Sequence, residues 1–128
     1  MDATLAKKLQ LRPGQAVSAL HVPQDLELDL PLDGDAPGDG AAGGDLPAPA
    51  ILVFVTTFAE AEQRVSPAVE AAAADKLSWV AYPKAGKLGT DLNRDALAAF
   101  MTARGVRPVR QVALDGTWSA LRFRPASP

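Results

Sequence analysis

Ala50-Ile51-Leu52-Val53-Phe54-Val55-Thr56-Thr57-Phe58-Ala59-Glu60 carries the chain from sheet into helix. The unbroken Ile-Leu-Val-Phe-Val run predicts a central strand buried on both faces. Thr57 with Glu60 three residues later fits a capping box, hydroxyl first and carboxylate after, so a helix is expected to start there. Ser66-Pro67 interrupts that helix: the proline either kinks it or opens a second helix with Ser66 as its cap. The alanine-rich stretch to Ala74 completes the crossover. Residues 77–82 form the next predicted strand, ended by Pro83.

Downstream, the loop Lys84-Ala85-Gly86-Lys87-Leu88-Gly89 leads to a helix capped by Thr90 or Asp91. Leu92, Ala96, Leu97, Phe100 and Met101 recur at threes and fours, which buries one helical face, and Gly105 supplies the stop. Residues 109–114 and 118–123 read as strands joined by Asp115-Gly116, the strongest hairpin signal in the chain. Strand-helix-strand-helix-strand implies parallel pairing through right-handed crossovers. The expected architecture is a single α/β domain over 1–128, Rossmann-like and three-layered. Its sheet is expected to be mostly parallel, with a C-terminal antiparallel hairpin.

Upstream the signals are shorter. Residues 2–12 read as a helix with Leu5 and Leu9 at helical spacing, stopped by Arg12-Pro13-Gly14. Residues 16–22 form a short strand closed by Pro23. Leu26-Glu27-Leu28-Asp29-Leu30 alternates apolar and acidic residues, the pattern of a half-exposed edge strand. Residues 33–49 hold five glycines, three prolines and four aspartates. Such a stretch has little to bury and much entropy to lose, so it reads as a flexible surface insertion.

The composition excludes several chemistries. The chain has 128 residues, no cysteine and one histidine, His21. Disulfide scaffolds, thiol nucleophiles and zinc sites built from His and Cys alone are therefore ruled out. Alanine supplies 25 residues, so the hydrophobic share of 48% overstates the large side-chain volume. No export signal or bilayer-length apolar run occurs, and a cytoplasmic location without membrane contact is expected. Net charge is −2, yet without residues 33–49 the remaining 111 carry 11 acids and 13 bases.

Motif searches mostly fail. Gly38-Asp39-Gly40-Ala41-Ala42-Gly43 matches the dinucleotide pattern in letters, but no strand precedes it and Pro47 and Pro49 follow. Asp33, Asp35 and Asp39 suggest a calcium loop, but Pro37 and Gly44 occupy ligand positions. No Walker sequence or nucleophile elbow occurs. No cofactor or metal is called for.

One constellation follows from topology. Ligands of open α/β sheets sit beyond the carboxyl ends of the parallel strands. Those ends deliver His21, Thr56, Thr57 and Lys84; the loop adds Lys87, and the next helix start adds Thr90, Asp91, Asn93 and Arg94. Backbone amides with the two lysines suit an anionic small molecule. Thr57 and Asp91 are equally explained as helix caps, and the lysines as loop charges. A second group, Arg107, Arg110, Arg122 and Arg124 near Trp118, invites a nucleic-acid reading. Pairing with Asp91, Asp95, Asp115 or Glu27 and Asp29 is the simpler account, and nucleic acid is disfavoured.

Trp79-Val80-Ala81-Tyr82-Pro83-Lys84, Thr90-Asp91-Leu92-Asn93-Arg94-Asp95, Val109-Arg110-Gln111-Val112 and Trp118-Ser119-Ala120-Leu121-Arg122-Phe123-Arg124-Pro125 resemble a family of small bacterial proteins. That family is defined only as a domain of unknown function. The likeness spans about residues 50–125 and, more loosely, Leu11-Arg12-Pro13-Gly14. It implies no established activity, substrate or catalytic residue. The layout is also similar to the second half of Rossmann-like methyltransferases, which hold the methyl donor mainly on a glycine-rich turn after the first strand. The corresponding place here, Ala19-Leu20-His21-Val22-Pro23, has no glycine. The favoured expectation is a non-catalytic binding or regulatory domain for an anionic small molecule. The alternatives are a degenerate transferase-like enzyme, or an interaction subunit with a protein partner or a second copy.

Overall fold

A computed structural model describes residues 7–11, 15–23, 26, 50–84 and 87–126. Within them the elements are β1 (Val17–Leu20), β2 (Ala50–Phe54), α1 (Phe58–Arg64), α2 (Ser66–Ala73), β3 (Ser78–Pro83), α3 (Arg94–Thr102), β4 (Val106–Ala113) and β5 (Trp118–Pro125). One 3-10 turn, Lys87–Gly89, precedes α3. The α/β class holds. The acidic alternation beyond Leu26, the insertion at 33–49 and most of the predicted first helix lie outside the described residues.

The strand order is β1-β2-β3-β5-β4. β1–β2 and β2–β3 pair in parallel, whereas β3–β5 and β5–β4 pair antiparallel. The sheet is thus mixed, not mostly parallel. The hairpin turn makes β5 antiparallel to β4, and β5 then slots between β4 and β3 instead of lying at the outer edge. Both of its ladders must therefore be antiparallel. The connection through α3 consequently skips one strand position, a skip that two-residue turn chemistry does not encode.

Alternation along the strands sorts the core into two halves. Val53, Val55, Val80, Tyr82, Leu121 and Phe123 face the side covered by α1, α2 and α3. Leu52, Phe54, Trp79, Ala81, Trp118 and Ala120 face the other side, where Leu9, Leu11 and Leu26 pack. β2 is buried on both faces as its unbroken apolar run predicts. Phe54 and Trp118 meet edge to face with centroids 5.2 Å apart.

The proline interruption produces two helices. Val65 closes α1 and also precedes α2, which has Pro67 in its first turn and no side-chain cap. Ser66 lies inside α2 and is not its cap. The buried residues of these helices are Ala61, Ala68, Ala71 and Ala72. Small side chains let α2 lie so close to the sheet that the buried Ser78 hydroxyl donates to the Ala68 carbonyl at 2.8 Å. Much of the alanine thus serves close helix–sheet approach. Ala68→Leu should therefore destabilise the fold by about 1–3 kcal/mol through overpacking. A lower urea midpoint at unchanged slope is the expected result; an unchanged midpoint would show the seam has slack.

Gly105 has φ +92, and its N–H donates to the Thr102 carbonyl at 3.0 Å, closing α3 as anticipated. Among the described residues, no helix is long and apolar enough to cross a membrane.

Candidate functional site

Beyond the carboxyl end of β3 lies a cleft of about 750 Å³, lined by Tyr82, Lys84, Asn93, Arg94, Asp95, Gln111, Val112, Ala113 and Ser119. Three parts of the chain build it. The strand end supplies Tyr82 and Lys84, and Lys84 is fixed to the hairpin by its N–H donating to the Thr117 carbonyl at 2.7 Å. The start of α3 supplies Asn93, Arg94 and Asp95. The hairpin supplies Gln111, Ala113 and Ser119, with Ser119 opposite both Tyr82 and Ala113 in the ladders.

Asn93 caps α3: its side-chain oxygen accepts from the Ala96 N–H at 2.8 Å. Arg94 and Asp95 lie 3.6 Å apart, both well exposed. A solvated pair of this kind contributes little stability and leaves the guanidinium available to a ligand. Lys84 and Arg94 bring two positive charges to the cleft, against the single carboxylate of Asp95.

Tyr82 is almost fully buried, and its hydroxyl accepts from the Gln111 amide at 3.1 Å. Burial pushes the phenol above its ordinary range, opposed by the Arg94 charge and a hydrogen bond with Ser119. The folded protein therefore keeps this proton at a pH where the unfolded chain, titrating near 10, releases it. Stability attributable to Tyr82 is present below that unfolded value and falls as pH rises through the window above it. Unfolding free energies measured by urea between neutral and strongly alkaline pH should fall less steeply for Tyr82→Phe than for the parent. Parallel curves would mean that Tyr82 ionises alike in both states.

Of the anticipated residues, Lys84 and Arg94 line this cleft together with Asn93. Four others form a structural clasp between the β2–α1 and β3–α3 connections. Thr57 Oγ1 accepts from the Glu60 N–H at 3.2 Å, while Glu60 Oε1 accepts from the Thr56 N–H at 2.7 Å. The capping box closes one residue further back than its standard pattern. Thr90 Oγ1 donates to the Thr56 carbonyl at 2.5 Å and accepts from the Leu92 N–H at 2.9 Å. Asp91 Oδ1 accepts from the Phe58 N–H at 3.0 Å. Neither Thr90 nor Asp91 caps α3. Asp91 instead satisfies the first amide of α1, where a carboxylate also suits the helix dipole. Lys87 is exposed in the 3-10 turn, and His21 is exposed at the end of β1 with φ +62. Neither lines the cleft.

Tyr82, Gln111 and Ser119 were not singled out as site residues by sequence, and Asp95 was expected only as an arginine partner. A two-residue turn at Asp115-Gly116 would set Ala113 opposite Trp118; the observed Ala113–Ser119 pairing closes a loop one residue longer. The Tyr82–Ser119 pairing depends on where β5 enters the sheet, which no local pattern marks. Among the described residues no group of three or more histidine, aspartate or glutamate side chains could hold a metal ion. No family model, curated protein or solved structure matches the chain.

Proposed function

We propose that the chain is a binding or regulatory domain that holds an anionic small molecule in the cleft beyond β3. One observation carries this reading: Lys84 and Arg94, from separate loops, line the same 750 Å³ space as the polar groups of Tyr82, Asn93, Gln111 and Ser119. That combination offers charge for an anion and hydrogen-bonding groups to orient the rest of a molecule. Membership of the small bacterial family, a cytoplasmic location, and a Rossmann-like three-layer plan related to the second half of methyltransferases belong to the same reading.

A degenerate transferase acting on such an anion is the second reading. The turn after β1 weighs against a methyl-donor site. It has His21, not glycine, in the left-handed region, so a Cβ stands where close approach of a ligand needs none.

A thermal-shift panel of nucleotides, sugar phosphates and methyl donors tests the proposal. A ligand at about 100 times its Kd adds about 2.7 kcal/mol. At roughly 4 °C per kcal/mol this raises Tm by roughly 10 °C. Lys84→Ala and Arg94→Ala should each abolish most of the shift. An empty panel, or a shift undiminished in both variants, sinks the cleft as a binding site.

A further inference from the structure

The expected neutralisation of the C-terminal arginines does not occur through Asp91, Asp95 or Asp115. Asp91 serves the Phe58 amide, Asp95 approaches Arg94, and Asp115 Oδ1 accepts from the Thr117 and Trp118 N–H groups at 2.8 Å each. Glu27 and Asp29, the other expected partners, lie outside the described residues.

In the β4–β5 ladder Arg110 stands opposite Arg122, and Arg107 opposite Arg124. Directly opposite residues share a face. Leu121 and Phe123 belong to the helix-side core, and Gln111 reaches Tyr82 there, so all four arginines face the other way. Strict alternation would put residues 107 and 110 on opposite faces. The register shift between Pro108 and Arg110 restores their parity. A one-residue bulge re-aims a side chain in this manner, and here it gathers the four guanidinium groups.

Among the described residues little offsets them. Arg124 makes a two-pronged pair with Asp75 at 3.0 and 3.1 Å, holding that carboxyl below its ordinary range. Arg122 donates to the neutral Gln10 amide at 2.6 Å, and its buried Nε has no partner among the described residues. Arg107 donates to the Pro125 carbonyl at 3.1 Å. Arg110 makes no hydrogen bond or ion pair among the described residues. Among the described residues four positive charges thus meet one negative charge. Charged residues, proline and bulges on an outer strand discourage unwanted strand pairing, which accounts for Arg107, Pro108 and Arg110. It does not account for Arg122 and Arg124 on the interior strand.

We infer that this arginine face of the β4–β5 hairpin binds the phosphodiester backbone of a nucleic acid. Guanidinium forks match phosphate oxygens in pairs. The two arginine rungs are about 6.8 Å apart along the strands, a repeat that an extended sugar–phosphate chain can follow. Phe54, Trp79 and Trp118, the aromatics on this side among the described residues, are 1%, 0% and 5% exposed, so no base can stack on them. Recognition is therefore indifferent to sequence and carried by phosphates alone. The site lies on the opposite side of the sheet from the helices and is independent of the cleft reading.

Fluorescence anisotropy with a short labelled thymidine oligonucleotide at about 50 mM salt tests this. The three arginines not paired with an acid among the described residues predict a log–log salt slope of about −2, from about −0.7 for each neutralised phosphate of a single strand. Arg107→Gln combined with Arg110→Gln should weaken binding roughly tenfold or more and bring the slope near −0.7. Arg110→Gln alone, whose side chain has no partner to lose, serves if the double variant fails to fold. Arg104→Gln, in the turn after α3 and over the Phe100 ring, should leave binding unchanged. No binding at low salt, or binding unaffected by the hairpin variants, overturns the inference. So does polyglutamate of equal charge binding as tightly as the oligonucleotide, which would make the face a dock for acidic proteins.

Discussion

Trp79→Ala is expected to lower the unfolding free energy by about 3–5 kcal/mol. That is a large share of the roughly 5–15 kcal/mol available to a domain. Trp79 is fully buried in β3, the middle strand of the sheet, among Leu9, Leu52, Phe54 and Trp118 on the side without the three long helices. Its indole N–H donates to the Leu9 carbonyl at 3.1 Å. The residue therefore fills volume and also holds the N-terminal segment against the sheet. Trp79→Phe separates the two roles. It keeps most of the volume but leaves a buried carbonyl without its donor, at a cost of about 1–3 kcal/mol. Chemical denaturation of both variants gives the comparison. Equal losses would mean that the hydrogen bond, and not the volume, dominates; no loss in Trp79→Phe would mean that water replaces the indole.

Leu97→Ala should cost about 2–5 kcal/mol. Leu97 and Met101 are the fully buried residues of α3, one turn apart, seated on Val80, Tyr82, Val106 and Leu121 in the same core half. Phe100 meets Phe58 of α1 edge to face at 6.0 Å and takes the Arg104 guanidinium over its ring at 3.6 Å. The helix that loses Leu97 is the one presenting Asn93 and Arg94 to the cleft, so ligand-induced thermal shifts should shrink along with stability. Leu97→Met, which nearly conserves volume, should cost less than about 1.5 kcal/mol and retain the shift. Full stability in Leu97→Ala would show that α3 is held mainly by its ends.

What the sequence made legible was local chemistry with a fixed geometric consequence. Pro67 forced a break, and a new helix begins around it. Asp115-Gly116 demanded a turn, and the Asp115 carboxylate closes it on two backbone amides. Ile51 to Val55, apolar throughout, had to lie inside a sheet. Cap assignment was harder because Thr90, Asp91 and Asn93 are all competent N-caps. Tertiary contacts decided among them: Thr90 and Asp91 are occupied by Thr56 and Phe58 of a different connection, which leaves Asn93 for α3. The cleft was half legible for a related reason. Lys84 and Arg94 follow from strand and helix ends, whereas Gln111 and Ser119 enter only through the slot that β5 takes. The arginine pairing expected with nearby aspartates went to Asp75, at the turn after α2, because β5 runs back along β3 and delivers Arg124 there.

The position of β5 also sets a schedule for biosynthesis. A ribosome delivers β1 to β3 and then β4 before β5, yet β4 has no ladder in the sheet until β5 bridges it to β3. Domains fold largely as synthesis proceeds, N-terminal parts first, but here the parallel half must wait with the edge of β3 unpaired. During that interval the nascent chain carries an open apolar strand edge, the kind that recruits chaperones or wrong partners. A chain truncated between residues 113 and 118 would therefore keep that β3 edge open.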